Sequence, residues 1–220
     1  MTSQHSRTNL PNQFTGRVLV VGSTGRVGQH VTELLLKRGV PVRLFVRDRE
    51  RAAARFGEDI DIVVGDALTA DLAPVFAGVD AVISTLGSRD VQGGGLRTVD
   101  LPATRRLVAA AREAGVRRFV LCSTIGAVPT EGIPDAMIAA FAPKGEAEEA
   151  LRASGVPHTI VRPGALFDGL TDTPYAIDCQ QVALALVGAL TRDDALGATF
   201  ELSNARLQLP GADRLLGVRA

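Results

Sequence analysis

From Val18 onward the chain alternates short apolar runs with stretches of helical spacing. Val18–Val21, Val42–Val46, Ile60–Val64, Ala81–Ser84, Phe119–Cys122 and His158–Val161 are predominantly apolar rather than alternating, as strands covered on both faces must be. Thr199–Leu202 is a further, weaker strand. Between these runs, Val27–Arg38 carries Val27, Val31, Leu34 and Leu35 on one helical face and stops at Gly39. Thr98–Ala114 repeats the pattern with Leu101, Leu107, Val108 and Ala111, and Gly145–Ala153 and Gln180–Leu190 read as two more helices. Such alternation predicts an α/β protein: a Rossmann-type doubly wound sheet, mostly parallel, of about seven strands, with helices on both faces. Residues 1–16 read as a flexible tail and 17–204 as a single domain with a small C-terminal substrate-side region. Residues 205–220 form an arm whose order the pattern does not set.

Composition narrows the picture further. The 220 residues are 46% hydrophobic and 22% charged, the balance of one ordinary globular domain. Twenty-four basic residues meet 24 acidic ones, so no global field favours nucleic acid or an anionic membrane. The opening MTSQHSRTNLPNQFTG lacks an apolar h-region, and no apolar run approaches the ~18 residues a bilayer span needs. Cys122 and Cys179 have neither metal-ligand spacing nor disulfide density, and His5, His30 and His158 are scattered. These features predict a cytoplasmic protein with no metal site.

Candidate chemistry concentrates in Val18-Leu-Val-Val-Gly22-Ser23-Thr24-Gly25-Arg26-Val27-Gly28. A buried strand runs into three glycines spaced by two residues, and a helix opens at the third. The glycines allow a tight turn, close backbone approach to a pyrophosphate, and close helix-on-strand packing. The first helical turn then aims unpaired N–H groups and a positive dipole end at the anion. At the end of the second strand, where an NAD site usually carries an acid for the ribose 2′-OH, stands Arg47. With Arg26 converging on the adenosine ribose, two guanidiniums suit a 2′-phosphate, so NADP(H) is favoured. Asp48, next along, keeps NAD(H) possible.

Further along come Val64-Gly-Asp66-Ala67-Leu, Val82-Ile-Ser-Thr85-Leu86-Gly87 and Arg118-Phe-Val-Leu-Cys-Ser123-Thr124. Lys144-Gly-Glu-Ala-Glu and Ser154-Gly-Val-Pro-His-Thr-Ile-Val-Arg-Pro163-Gly164 follow. In this order the chain, from about Arg17 to Leu202, resembles atypical short-chain dehydrogenase/reductases of the NmrA-like and biliverdin-reductase-B-like kind. The resemblance implies that Asp66, beside Ala67, caps the adenine amino group, and that Thr85, Leu86 and Gly87 line the adenosine side. It implies Ser123 and Thr124 beside the nicotinamide, Lys144 on its ribose, and Pro163 and Gly164 approaching the carboxamide through backbone. Without it, Asp66 reads as a helix cap, Ser123-Thr124 as punctuation after a strand and Lys144 as a solvated lysine.

One family feature is missing. The superfamily's tyrosine, four residues before the lysine, would stand at position 140, which is Ala140; neighbouring Phe141 has no hydroxyl to ionise. The chain's single tyrosine, Tyr175, sits in the loop after Pro163-Gly164, where a relocated acid is conceivable though a packing role is commoner. Gln92–Gly95 reads as a mobile connection or a lid. Ketone reduction gains strongly from a placed proton donor, whereas conjugated acceptors delocalise the incoming charge and need it less. The expected function is NADPH-dependent reduction of a small conjugated acceptor such as a flavin or quinone, with Ser123, Thr124 and Lys144 as catalytic candidates. The alternative is an inactive NADP(H)-sensing regulator that binds a protein partner, with the segment from Leu207 as its candidate surface. An epimerase is a weaker third reading.

Overall fold

The computed structural model describes residues 14–88, 90, 94–169 and 176–204. Among them, seven strands form one parallel sheet. In chain order these are β1 (Val18–Val21), β2 (Val42–Val46), β3 (Asp61–Val64), β4 (Ala81–Ser84), β5 (Arg118–Cys122), β6 (His158–Pro163) and, after two short strands, β9 (Thr199–Leu202). Their order across the sheet is β3-β2-β1-β4-β5-β6-β9, every neighbouring pair parallel. The short strands β7 (Ala165–Phe167) and β8 (Ala176–Asp178) pair with each other beside the main sheet.

Alternation along the central strands explains why they are apolar throughout. Val18 and Val20 join the core on one face, with Val31 and Leu35 of α1 (Arg26–Lys37) and Val182 and Leu186 of α6 (Cys179–Gly188). Leu19 and Val21 join the other. There they meet Phe76 of α3 (Ala73–Phe76), Leu107 and Ala111 of α4 (Leu101–Glu113), and Leu151 of α5 (Asp135–Ala153). With both faces covered, an outward polar residue in these strands would be buried without a partner. Among the described residues no helix is long and apolar enough to cross a membrane.

Several elements differ from the sequence reading. The helix assigned to Gly145–Ala153 starts at Asp135. Gly145 looked like a boundary, but an ideal Cβ there would lie 2.2 Å from the Ala127 carbonyl oxygen, so this glycine marks close packing inside the helix. The helix read from Thr98 opens with a π-helical turn, Leu96–Asp100, before α4. α2 (Arg49–Phe56), α3, β7 and β8 were not foreseen. Tyr175, Gln92, the 205–220 arm and most of the 1–16 tail lie outside the described residues.

The chain runs β1, β2, β3 toward one edge and returns to β4 on the other side of β1. That reversal opens a crevice above the carboxyl ends of β1 and β4, where an open parallel sheet binds ligands.

Candidate functional site

β1 is buried along its whole length and delivers the glycine loop into this crevice. Gly22 turns at φ 84, a left-handed conformation that favours glycine, and its carbonyl accepts from Gly25 N at 2.9 Å. Thr85 Oγ1, at the end of β4, donates toward the carbonyls of Val21 (3.1 Å) and Gly22 (3.2 Å) and so ties the two strand ends together. α1 has no side-chain cap on its first N–H groups and no acid in its first turn. Those donors stand ready for an anion. Ser23 is fully buried and its Oγ has no hydrogen-bond partner among the described residues.

Two cavities adjoin across the loop and share Gly25, Thr85, Leu86, Gly87 and Ser88 in their linings. One, of about 490 Å³, lies toward β2 and β3 and is lined by Thr24, Arg47, Arg51, Asp66 and Ala67. The other, of about 460 Å³, lies toward β5 and β6 and includes Arg26, Val27, Ser123, Thr124, Lys144 and Pro163-Gly164. Its remaining wall is apolar, from Leu96, Ile125, Ile133, Met137, Phe141 and Leu166. A larger hollow of about 570 Å³ between α3 and α4 lies away from all these groups.

The expected convergence of Arg26 with Arg47 does not occur. Arg26 faces the second cavity and pairs with Asp168 beyond β7, Nη2 to Oδ2 at 3.1 Å. The second guanidinium beside Arg47 is instead Arg51, whose Nη2 reaches the Thr24 carbonyl at 3.4 Å. Asp48 caps α2, its Oδ1 accepting from Arg51 N at 3.0 Å. The carboxylate that kept an NAD site open therefore organises the helix that presents Arg51. An Asp followed three residues later by Arg at a helix start is a signal the sequence reading passed over.

Other groups are also more committed than expected. Asp66 Oδ1 accepts from Leu68 N at 2.8 Å, closing its own turn. The Gly164 N–H goes to Leu202 O, and the Pro163 carbonyl accepts from Ile125 N, so the sheet already uses backbone groups assigned to the carboxamide. Lys144 is no solvated lysine: Nζ donates to Leu86 O at 2.7 Å and sits 3.0 Å from Asp100 Oδ2, a carboxylate 1% exposed. Asp100 Oδ1 in turn accepts from Ser88 N at 2.8 Å. An ammonium has three protons, so one remains for a ligand. Burial pushes the Cys122 thiol up to about 11, partly offset by Lys144, which keeps it protonated at neutral pH.

Ser123 donates its proton to Glu148 Oε1 at 2.6 Å, inside the protein. Glu148 is fully buried and is also bound by Arg162 Nε (2.9 Å), Arg162 Nη2 (2.6 Å) and Arg152 Nη2 (2.9 Å). Burial raises the Glu148 carboxyl, but the bonds from Arg162, Ser123 and Arg152 outweigh it and hold the group below its ordinary range. As a proton donor to the cavity, Ser123 is therefore disfavoured. Arg51, Asp100, Glu148 and Arg162 were not foreseen; one available signal was Glu148 one helical turn after Lys144.

Residues 22–194 match the model of a family described as NAD(P)H-binding. The chain belongs to that family. With this fold and the missing tyrosine, it is an atypical short-chain dehydrogenase/reductase, and NAD(P)H is its cofactor class. It is 30% identical over 184 residues to an uncharacterised sugar epimerase, YhfK, of Bacillus subtilis, matching 81% of this chain and 83% of that protein. It is 35% identical to the divinyl chlorophyllide a 8-vinyl-reductase of Oryza sativa, matching 76% of this chain and 44% of the other. TIC 62 of Pisum sativum is 34% identical, across 68% of this chain and 32% of its own length. The chain thus spans less than half of either plant protein. Among solved structures, the oxidoreductase ylbE of Lactococcus lactis superposes with a TM-score of 0.73 at 27% identity, covering 83% of this chain and 88% of that one.

Proposed function

We propose that the protein is an NADPH-dependent reductase of a small, planar, conjugated acceptor. The observation that carries this reading is the second cavity. It continues from the dinucleotide crevice and has an apolar wall, a lysine and no ionisable phenol among its described lining residues.

The residues fit the cofactor. Gly25 leaves the loop open, while Gly22 and Gly28 bring backbone and helix close together beneath it. Arg47 and Arg51 present two guanidiniums to the adenosine side, a pairing that suits a 2′-phosphate. The second oxygen of Asp66 remains for the adenine amino group, and the third Lys144 proton for the nicotinamide ribose. When bound, the dinucleotide supplies a hydride. The chain's own part is to orient the reactive ring against the β5 and β6 ends, exclude water with apolar side chains, and hold the acceptor within reach. Thr124 and Lys144 are the polar groups nearest this work, and a proton from solvent completes the reduction.

The relative named as a sugar epimerase raises that alternative, and the cavity weighs against it. A sugar offers many hydroxyls and needs matching polar partners, whereas Ile125, Ile133, Met137 and Phe141 provide none. Two buried free cysteines fit a reducing compartment, and we place the protein in the cytoplasm. The test is anaerobic single-turnover oxidation of protein-bound NADPH by flavins, quinones and conjugated aldehydes. Oxidation well above the protein-free rate, lost when Lys144→Met is combined with Asp100→Asn, supports the reading. Tight NADPH binding with no acceptor consumed favours the regulatory alternative.

A further inference from the structure

The direction of the Ser123 hydroxyl proton limits what the second cavity can recognise. A serine hydroxyl offers one proton and two lone pairs. Here the proton goes to Glu148 Oε1, and the roles cannot be exchanged: a carboxylate held ionised by Arg162 and Arg152 has no proton to return. Ser123, 6% exposed and part of the cavity lining, therefore turns lone pairs toward the ligand. Thr124 is committed in the same sense, with Oγ1 donating to Ile125 O at 3.2 Å and directed also at Pro163 O at 3.5 Å. At the β5 end, then, two adjacent hydroxyls act as acceptors. A ligand carbonyl placed there meets lone pairs, while a ligand N–H meets a partner.

We propose that the molecule bound in this cavity carries a hydrogen-bond-donating ring N–H, of imide or lactam type, on the edge facing Ser123, and that Glu148 enforces this preference as a positioning residue. This rests on the proposed reductase reading for its site and narrows the acceptor class from conjugated molecules in general to N–H heterocycles. Quinones, whose polar edges only accept, are disfavoured by the same geometry.

The test compares riboflavin with 3-methylriboflavin, which differ by one N–H, in flavin-fluorescence titrations of the protein saturated with NADP⁺, where no hydride can move. The wild-type protein is expected to bind riboflavin about fivefold or more tightly, the worth of one hydrogen bond. The preference should vanish in Ser123→Ala, which keeps the three arginine bonds to Glu148. It should shrink in Glu148→Gln, whose neutral amide frees Ser123 to reverse; where that variant does not fold, Ser123→Ala decides. The ratio of two affinities within one variant is insensitive to a merely structural role. Equal affinities in the wild type, no riboflavin binding, or a preference that survives in Ser123→Ala overturns the proposal. Single-turnover measurements are read separately: an intact preference without hydride transfer removes the reductase reading and leaves this one standing.

Discussion

Gly28 packs so closely beneath Gly22 that an ideal Cβ on it would lie 2.1 Å from the Gly22 carbonyl oxygen and 2.6 Å from Thr85 Oγ1. Neither neighbour is free to give way, because the Gly22 carbonyl closes the loop turn and Thr85 ties β4 to β1. Gly25 is different. Its φ of −83 and ψ of 172 are extended backbone that any residue adopts, and its nearest contact would be 3.2 Å. Gly28→Ala is therefore expected to destabilise the fold by about 1–3 kcal/mol through overpacking. Gly25→Val, whose Cβ would press on the Gly22 carbonyl at 3.2 Å, should lower the melting temperature less than Gly28→Ala and lose dinucleotide binding. Calorimetric titration beside thermal melts separates the two, and a Gly25→Val protein that still binds NADPH removes the loop from the site.

Arg47 and Arg51 should discriminate between cofactors, and Arg26 should not. Replacing either of the first two with Ala is expected to weaken NADPH binding about tenfold, the worth of one charge-assisted hydrogen bond, and NADH binding less than twofold. Arg26→Ala should affect both dinucleotides alike, and the loss of its solvent-screened pair with Asp168 should leave the melting temperature nearly unchanged. Equal losses of NADPH and NADH affinity in Arg51→Ala would remove it from the 2′-phosphate role.

These arginines show where sequence reasoning stops. β1, β4 and β5 were legible because each is buried along its whole length and is apolar except for one residue at an end of β4 and of β5, Ser84 and Arg118. The glycine loop was legible because φ at Gly22 and contact at Gly28 each demand glycine. The orientation of Arg26, by contrast, is set by Asp168, 142 residues away. Arg51 depends on α2, a short polar helix held by its Asp48 cap with only Ala52 and Ala53 buried, too few to leave a hydrophobic stripe. β7 and β8 are three residues each and exist through their mutual pairing. The first half of α5 was obscured by Pro143 and Gly145, both buried within the helix, where local propensity reads as a break and tertiary packing overrules it.

The Lys144–Asp100 pair complicates the usual lysine substitution. Lys144→Ala removes the positive partner of a carboxylate that is 1% exposed, and breaking a buried pair from one side costs about 3–5 kcal/mol. Lost activity in that variant would mix chemistry with unfolding. Adding Asp100→Asn neutralises the orphaned charge, so Lys144→Met with Asp100→Asn is expected to regain most of the stability while still lacking the ribose contact. Urea unfolding of Lys144→Met, Asp100→Asn and the double variant gives the coupling. An additive cycle would mean that the two groups do not share a buried ion pair.

Acid is expected to remove the stability that ionised Glu148 contributes. Its folded pKa lies below the ordinary value, because hydrogen bonds from Arg162, Ser123 and Arg152 exceed the burial penalty. The native state therefore binds fewer protons at this site than the unfolded chain. Stability from Glu148 is fully present above the unfolded pKa of about 4.3 and is lost as pH falls through the lower folded value. Asp80, held down by Arg17 N and the Arg117 side chain, adds to the loss in the same direction. The urea midpoint is thus expected to show no contribution from these groups between pH 7 and 5.5 and to drop below about pH 4.5. In Glu148→Gln the plateau should be lower, since among the described residues Glu201 at 3.6 Å is then the one carboxylate paired with Arg162, and the acid slope shallower. A variant with an unchanged slope would show that the Ser123–Glu148–Arg162 cluster is not ionised as the geometry requires.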